Sequence, residues 1–481
     1  MMTELFCDNK ILRAAKDGGA SVCGVGVSNL PLIDFLLERG ISVVARDRKD
    51  RAALGAELVQ SLEEKGVRLV LGEAYLDDIR QTVIFRTPGL RHDYPSLAEA
   101  VSRGAILTSE MELFFELTPA TTVGITGSDG KTTTTTLTYL FLEAEMKRRG
   151  KGRVYVGGNI GEPLLPKVAE MTADDFAVVE LSSFQLMTVK RSTQTAAVTN
   201  LTPNHLDWHK AGMEEYAEAK TNIYRHGASR LVVNAESEPT RSMGELADTT
   251  EKIFFSSKNV EYDKIVPPTC HGASAIFERD GYIVISDGAQ ETQLLRTADI
   301  LLPGRHNIEN YMTAIGNTYG IVSADIYAEV AREFRGVEHR LEFVRELDGV
   351  KYYNSSIDSS PSRTAAALGA LPRKPIVICG GYDKNIPFEP LAYALCRDAA
   401  GVVLTGATAG KIKDALLTCP EFDPAKLPLV TAEDFEGAVT SARDMAHGDG
   451  IVLLSPACAS FDRFKNFMER GRYFKELVMK L

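Results

Sequence analysis

Short apolar runs at 21–25, 41–45, 68–71 and 82–86 alternate with helical patterns at 31–39 and 96–103 over the first 117 residues. Strand and helix in alternation predict a parallel sheet with right-handed crossovers. Thr118-Pro119-Ala120 then breaks both patterns, as proline does, and reads as a linker. A second βα series follows, with strands predicted at 123–125, 154–156, 176–181, 196–199 and 231–234. From about residue 252 to 300 the pattern changes. Runs at 275–279 and 282–286 flank Asp280-Gly281, a hairpin turn pair, so a small antiparallel subsheet is expected there. Residues 307–319 return to helix. A third series follows His339, with strands predicted at 351–353, 375–379, 401–404, 427–430 and 451–454. Three βα blocks in 481 residues predict an α/β chain of three domains, at 1–117, 118–336 and 337–481.

Composition narrows the function classes. With 54 Lys+Arg against 65 Asp+Glu, the net charge of −11 disfavours nucleic-acid binding, which needs a basic face. A local basic pocket for a small phosphorylated ligand remains compatible with it. The start, Met1 to Lys10, lacks a basic-then-apolar signal pattern, and no apolar run approaches the roughly 18 residues of a membrane span. Seven scattered cysteines without a C-x-x-C pair argue against a disulfide scaffold or a zinc site. A cytoplasmic chain without membrane insertion or nucleic-acid partner is expected.

The strongest motif is Gly124-Ile125-Thr126-Gly127-Ser128-Asp129-Gly130-Lys131-Thr132, between a predicted strand and a helical pattern. Glycines let successive N–H groups converge on phosphate oxygens, Lys131 adds charge, and Thr132 offers a hydroxyl to Mg²⁺. Ile125 stands where a strict Walker A has glycine. The threonines 132–136 are mediocre helix formers whose hydroxyls can shape the loop–helix junction. A second turn, Gly24-Val25-Gly26-Val27-Ser28-Asn29, resembles G-x-G-x-x-G with Asn29 replacing the last glycine. Asp47 ends the next strand, where a dinucleotide site holds a ribose-binding acid. A tight βα turn without ligand explains this segment equally well.

Glu180 ends an apolar run, so its carboxylate opens onto the crevice where α/β sheets bind ligands, and with Thr132 it can hold Mg²⁺. In His205-Leu206-Asp207-Trp208-His209 two histidines stand at i, i+4, but the glutamate of H-E-x-x-H is absent. His205 as a divalent-ion partner and His209 as a surface or structural residue is the expectation. Lys220 lies on an amphipathic stretch, 213–224, and from that stretch alone reads as a solvated lysine. Lys384 follows a strand and two glycines, on a loop at a sheet's C-terminal edge.

In this order the motifs resemble the Mur ligase family of ATP-dependent amide-forming enzymes, over nearly the whole chain. The collinear segments are the phosphate loop, Gly157-Gly158-Asn159-Ile160-Gly161, the run from Glu180 to Leu186, Asn204-His205-Leu206-Asp207, Lys220, Gly304-Arg305-His306-Asn307-Ile308-Glu309-Asn310, and the segment from Phe334 to Glu342. Glu180-Leu181-Ser182-Ser183-Phe184-Gln185-Leu186 and the run from Leu454 to Phe467 are similar to the members that add D-glutamate to UDP-N-acetylmuramoyl-L-alanine, in peptidoglycan precursor synthesis.

The resemblance implies a Rossmann-like first domain for the UDP end, a central P-loop-type ATPase sheet, and a Rossmann-like third domain for the amino acid. It implies ATP contacts at Gly127, Ser128, Asp129, Gly130, Lys131, Thr132, Thr133, Asn307 and Arg340. The UDP substrate would meet Gly26, Val27, Ser28, Asp47, Arg48, Thr87, Pro88, Gly89, Asn159, Ser182 and Gln185. Lys131, Glu180, His205 and Lys220 would be catalytic. Two Mg²⁺ ions would be held by Thr132, Glu180, His205 and Lys220, the last carried as a carbamate. D-Glutamate would meet Lys384, Ser460, Phe461 and Phe467. A monomer acting on small molecules is implied.

The third-domain pattern N-D-S-K-A-T-N departs here to Asn354-Ser355-Ser356-Ile357-Asp358-Ser359-Ser360. Ile357 replaces a lysine expected near the glutamate side chain, and Arg363, six residues on, is the candidate replacement cation. The alternatives are a Mur-family ligase for another amino acid, disfavoured by 455–467, and a nicotinamide-dependent dehydrogenase, disfavoured by Asn29 and the Lys131 loop. An inactive nucleotide-binding module is disfavoured by Lys131, Glu180, His205 and Lys220 together.

Overall fold

The computed structural model describes residues 9–26, 28–203, 208–383 and 386–481. Val27, His205 and Lys384, three expected site residues, lie outside them. The described residues build three sheets. The first holds β1 (Ala20–Cys23), β2 (Val43–Asp47), β3 (Arg68–Leu71), β4 (Val83–Arg86) and β5 (Ile106–Thr108). Its order is β3-β2-β1-β4-β5, all parallel.

The second sheet holds β6 (Thr121–Thr126), β7 (Val154–Gly158), β8 (Phe176–Glu180), β9 (Thr195–Val198), β10 (Arg230–Asn234), β11 (Glu251–Ser256), β12 (Ser274–Arg279), β13 (Tyr282–Ser286) and β14 (Glu291–Arg296). Its order is β14-β13-β12-β11-β10-β9-β6-β8-β7. The antiparallel pairs expected around Asp280-Gly281 are present. They continue the main sheet, because β11 and β12 pair in parallel and carry the ladder on to them.

The third sheet holds β15 (Glu342–Leu347), β16 (Val350–Asn354), β17 (Ile376–Cys379), β18 (Gly401–Leu404), β19 (Leu429–Thr431) and β20 (Ile451–Leu454). Its order is β15-β16-β20-β17-β18-β19, with only β15 antiparallel. Strands such as β20, Ile-Val-Leu-Leu, are buried along their whole length. Helices on both faces of a parallel sheet produce that pattern.

The chain divides into two compact units, Met1–Asp299 with Ile308–Val330, and Ile300–Asn307 with Ala331–Leu481. In the first unit, the first two sheets share one apolar core that includes Phe85, Phe114, Leu165 and Val179. The break at Thr118-Pro119-Ala120 leads from the helix Glu110–Leu117 into β6, and Ala120 is fully buried. In both of these sheets strand order reverses, beside β1 in the first and around β6 in the second. The C-terminal ends of such strands open the crevices where doubly wound sheets bind ligands. No described helix is long and apolar enough to cross a membrane.

Candidate active site

β6 leaves its sheet through Gly127 and Gly130, at φ 146° and 77°, and enters the helix Lys131–Arg149. Both positions demand glycine. A Cβ on Gly127 would lie 1.9 Å from Thr199 Oγ1, and one on Gly130 would lie 2.3 Å from Asn310 Oδ1. The turn is braced from outside. Thr199 Oγ1 donates to Asp129 O at 2.6 Å, Asn200 Oδ1 accepts from Asp129 N at 2.9 Å, and Ser128 Oγ donates to Thr202 O at 2.9 Å. The threonines have a packing reason, since Thr132, Thr134 and Thr135 are buried, while Thr136 Oγ1 donates back to Thr132 O. The first amides of this 19-residue helix, including those of Thr132 and Thr133, form its electropositive end.

Two lysine side chains converge on this turn. Lys131 Nζ donates to Gly127 O at 3.0 Å and Ser128 O at 2.8 Å. Lys220 Nζ donates to the same Gly127 O at 2.9 Å and to Thr126 Oγ1 at 3.1 Å. Lys220 is 1% exposed, against the solvated reading of its own helix. The helix Met213–Thr221 packs that face under the phosphate loop, so local amphipathicity misleads here. Burial, reinforced by the Lys131 charge, pushes its amine well below the usual lysine range. Tyr216, which sequence reasoning missed, holds both partners. Its hydroxyl shares a 2.9 Å bond with Ser128 Oγ, and its ring lies 4.6 Å from Lys220 Nζ.

Glu180, 2% exposed, ends β8 beside β6. Its Oε1 accepts from Asn159 Nδ2 at 2.8 Å, while Oε2 is buried without a partner. An orphaned buried carboxylate oxygen beside a glycine turn at a helix N-terminus fits a divalent cation. Ser182 and Gln185 are engaged with each other in a capping box on the helix Ser183–Leu186. His209 is buried rather than at the surface, with its ring 5.8 Å from Phe184 and 5.2 Å from Tyr216, and Nε2 3.1 Å from Ser183 Oγ. Trp208 packs edge-on against Phe184.

In the first sheet, β1 is followed by Gly24, φ 95°, where a Cβ would strike Thr87 at 2.8 Å. The space above Gly26 is open. Asp47 Oδ2 accepts the Val25 N–H at 2.7 Å and its Oδ1 accepts the Lys49 N–H at 2.9 Å. Asn29, in place of the third glycine, donates to Gly24 O at 2.8 Å, a bond glycine cannot make. Ser28 precedes the helix Asn29–Leu37 without capping it by its side chain. Arg48 is exposed and lies 3.5 Å from Glu73. Thr87, Pro88 and Gly89 follow β4, and their loop is tied down by Arg86, which sequence reasoning passed over as a strand end.

In the second unit, Asn307 Nδ2 donates to Pro303 O at 2.7 Å. Arg340 follows His339, whose φ is 67°. Ser355 is buried, its Oγ accepting from Leu341 N at 3.2 Å. Arg363 is exposed on the first turn of the helix Pro361–Ala370, and its Nη1 reaches back to Ile357 O at 3.4 Å. Burial pushes the Asp358 carboxyl up to about 6, against hydrogen bonds from Ser355 and Ser455. Ser460 is buried, Phe461 is exposed with Tyr382 6.0 Å away, and Phe467 lies 5.9 Å from His339. Arg470, also unforeseen, gathers the loops after β16 and β20. It donates to Ser356 O at 2.8 Å, Cys458 O at 3.1 Å and Ala459 O at 3.0 Å. Glu338, His339 and Glu342 cluster closely, but the Lys475 ammonium already bridges both carboxylates at 3.0 and 2.6 Å.

Residues 125–318 match the family model described as Mur ligase middle domain. The chain is 44% identical over 464 residues to the UDP-N-acetylmuramoylalanine--D-glutamate ligase of Clostridium novyi, covering 96% of each chain. It is 43% identical over 475 residues to the protein of the same name from Acetivibrio thermocellus, covering 98% of each. Among solved structures, the UDP-N-acetylmuramate-alanine ligase MurC of Thermotoga maritima aligns over 96% of this chain and 99% of its own. The TM-score is 0.53 at 17% identity, a likeness of fold.

Proposed function

The chain belongs to the Mur ligase family, and from that premise we propose that it joins D-glutamate to UDP-N-acetylmuramoyl-L-alanine, with ATP converted to ADP and phosphate, in peptidoglycan precursor synthesis. The observation that carries this is the extent of the likeness. The 43–45% identity to ligases of that name runs over 95–98% of the chain, third sheet included.

A carboxylate acylates poorly because its leaving group would be oxide. Attack of the L-alanyl carboxylate oxygen on the γ-phosphorus of ATP forms an O–P bond and expels ADP. The acyl phosphate so made has a good leaving group. The glutamate amine then forms the C–N bond, and the tetrahedral intermediate expels phosphate as the amine loses its proton. No side chain of this protein is a covalent nucleophile in the scheme. Its residues position reactants and offset charge.

The amides of Gly127 to Thr133 receive the β- and γ-phosphates, and Lys131 exchanges the carbonyls of Gly127 and Ser128 for phosphate oxygens. Members of the family use ATP and Mg²⁺. Thr132, Glu180, His205 and a carbamylated Lys220 would hold two Mg²⁺ ions, which when bound offset charge on the transferring phosphoryl group. The unpartnered Oε2 of Glu180 supports that assignment. The surroundings of Lys220 support the carbamate. Burial and the Lys131 charge favour the neutral amine, which is the form that adds CO₂, and the anion produced would relieve the repulsion from Lys131.

The reading divides the labour among three domains, 1–117, 118–336 and 337–481. Gly26, Val27, Ser28, Asp47, Arg48 and the Thr87-Pro88-Gly89 loop hold the UDP end, and Asn159, Ser182 and Gln185 line the carboxyl end. Asn307 and Arg340 meet the nucleotide of ATP. D-Glutamate lies against Lys384, Ser460, Phe461 and Phe467, with Arg363 supplying a cation where Ile357 has none. The chain acts as a cytoplasmic monomer. ADP release measured with each substrate omitted in turn is the test. Release that requires both UDP-N-acetylmuramoyl-L-alanine and D-glutamate is expected, and release driven equally by another amino acid would sink the proposal.

A further inference from the structure

Arg86 is the last residue of β4 and is 1% exposed. Its Nη1 donates to Leu90 O at 3.0 Å and Pro88 O at 3.2 Å, on the loop after its own strand. Its Nη2 donates to Phe184 O at 2.7 Å and its Nε to Thr188 Oγ1 at 3.1 Å, on the segment that follows β8. All three nitrogens are thus engaged, and every hydrogen-bond partner is neutral. Glu112 acts on the guanidinium from further away, and burial lowers its pKa to about 10, which leaves it charged at neutral pH.

A buried cation without a carboxylate in its hydrogen-bond shell is a costly way to join two loops, and a packed apolar pair would hold them with less desolvation. What the guanidinium adds is geometry. Its donors leave a rigid plane in fixed directions, so one side chain sets both the distance and the angle between two sets of acceptors. The two sets belong to different sheets of the first unit. One is the loop after β4, which carries Thr87-Pro88-Gly89 and offers the carbonyls of Pro88 and Leu90. The other is the segment after β8, which offers Phe184 O in the short helix Ser183–Leu186 and Thr188 Oγ1 just beyond it.

The geometry points to Arg86 as the positioning residue that sets the register of the UDP-substrate, fixing the span from its nucleotide anchor to its reacting carboxylate. The inference rests on the proposed function, in which the first loop holds the UDP end and the second lines the carboxyl end. One substrate molecule must satisfy both, and its carboxylate must arrive in line with the γ-phosphate. A misplacement of about 1 Å costs on the order of 10²-fold in rate. Arg91, five residues on, makes a separate tie from the same loop. It donates to Trp208 O at 2.7 Å and to Glu215 Oε1 at 2.7 Å. The two sheets therefore stay docked when Arg86 is changed, and what is lost is the register.

The test compares the intact protein with Arg86→Lys, which keeps the charge and loses the fork. Two quantities are read, kcat for ligation of UDP-N-acetylmuramoyl-L-alanine at saturating ATP and D-glutamate, and the Kd for UDP alone. A loss of register lowers kcat by about 30-fold or more while UDP affinity and the KM for ATP stay within about twofold, because a nucleotide without a carboxyl end has no span to satisfy. Unchanged kcat overturns the inference. So does a fall in kcat matched by an equal loss of UDP affinity, which would make Arg86 a support for the loop alone. Thr188→Val, which removes one acceptor at the far end, decides the matter if Arg86→Lys does not fold. It gives the same split at about three- to fivefold, and its absence there counts equally against the inference. Wild-type protein that neither binds UDP nor ligates would instead refute the proposed function.

Discussion

The turn that follows β1 and the turn that follows β6 each leave an interior strand through a glycine at positive φ, and each runs into a helix. Their chemistry differs in sign. In the first, the Val25 amide is already held by the Asp47 carboxylate, and Asn29 closes the turn by bonding to Gly24 O. In the second, the Thr126 hydroxyl and the carbonyls of Gly127 and Ser128 are the meeting place of two lysine side chains, and the orphaned Glu180 oxygen lies on the neighbouring strand. A turn whose amide is already held by a carboxylate is a rigid floor that offers a hydrogen-bond acceptor in place of a free amide. A turn whose Lys131 ammonium rests on weak carbonyl partners can trade them for phosphate oxygens. Backbone shape alone does not assign a ligand, and the charges brought to it by other strands do.

The contrast can be broken most severely at Lys131. Lys131→Ala is expected to lower ligation by at least about 10³-fold, while binding of the UDP-substrate, measured by titration, stays within about threefold. If half of the turnover survives, the second turn does not work through this cation.

Lys220→Ala is expected to cost on the order of 10²-fold, with partial recovery when acetate or another short carboxylate is added. The sign of the pH effect follows from the depressed amine pKa. Only the neutral amine adds CO₂, so protein stripped of CO₂ under acid conditions should be weakly active and should recover in bicarbonate at pH 8. Full activity of Lys220→Ala without any additive would remove the carbamate from the scheme.

The first turn is probed by Asp47→Asn, which takes away the charge but leaves one oxygen. The KM for the UDP-substrate should rise about tenfold, equivalent to about 1.4 kcal/mol, with the KM for ATP unchanged. Equal rises in both would mean that the two turns are not independent sites. Asn29→Gly should have the smallest effect. It restores the third glycine at the loss of the bond to Gly24 O, lowering unfolding stability by about 1 kcal/mol in a denaturant titration and leaving ligation nearly intact. A variant more stable than the wild type would show that the side chain strains the turn.

The buried parallel strands were legible because each is an unbroken apolar run, as at Gly401–Leu404 and Ile451–Leu454, where the sequence ranges coincide with the strands. The strands that escaped notice, Ile106–Thr108, Glu251–Ser256, Glu291–Arg296 and Glu342–Leu347, are short or carry charge. Three of them sit at a sheet edge. The Lys131 loop could be read locally because its glycines, lysine and threonine fall in one short segment, from Gly124 to Thr132. Lys220 could not, since only the packing of its helix under Gly127 buries it. Arg86 and Arg470 left no signal at all. Each stands in an ordinary strand or helix in sequence, and the partners that tie it to another segment, Phe184 and Ser356, stand about 100 residues away.

The outer edge of the nine-stranded sheet has a consequence of another kind. β14 pairs with β13 and, among the described residues, with no other strand. Three of its first residues, Glu291, Thr292 and Gln293, are exposed, as is Arg296, and Glu291 is ion-paired with Arg279 on β12. The register also shifts between Ile283 and Val284, which twists the ribbon. An open strand edge is a template for another chain, and charged side chains with a bulge are how proteins keep such a template from being copied. Those few polar residues, far from any chemistry, guard the largest sheet of the protein against growing by one more strand from a neighbouring molecule.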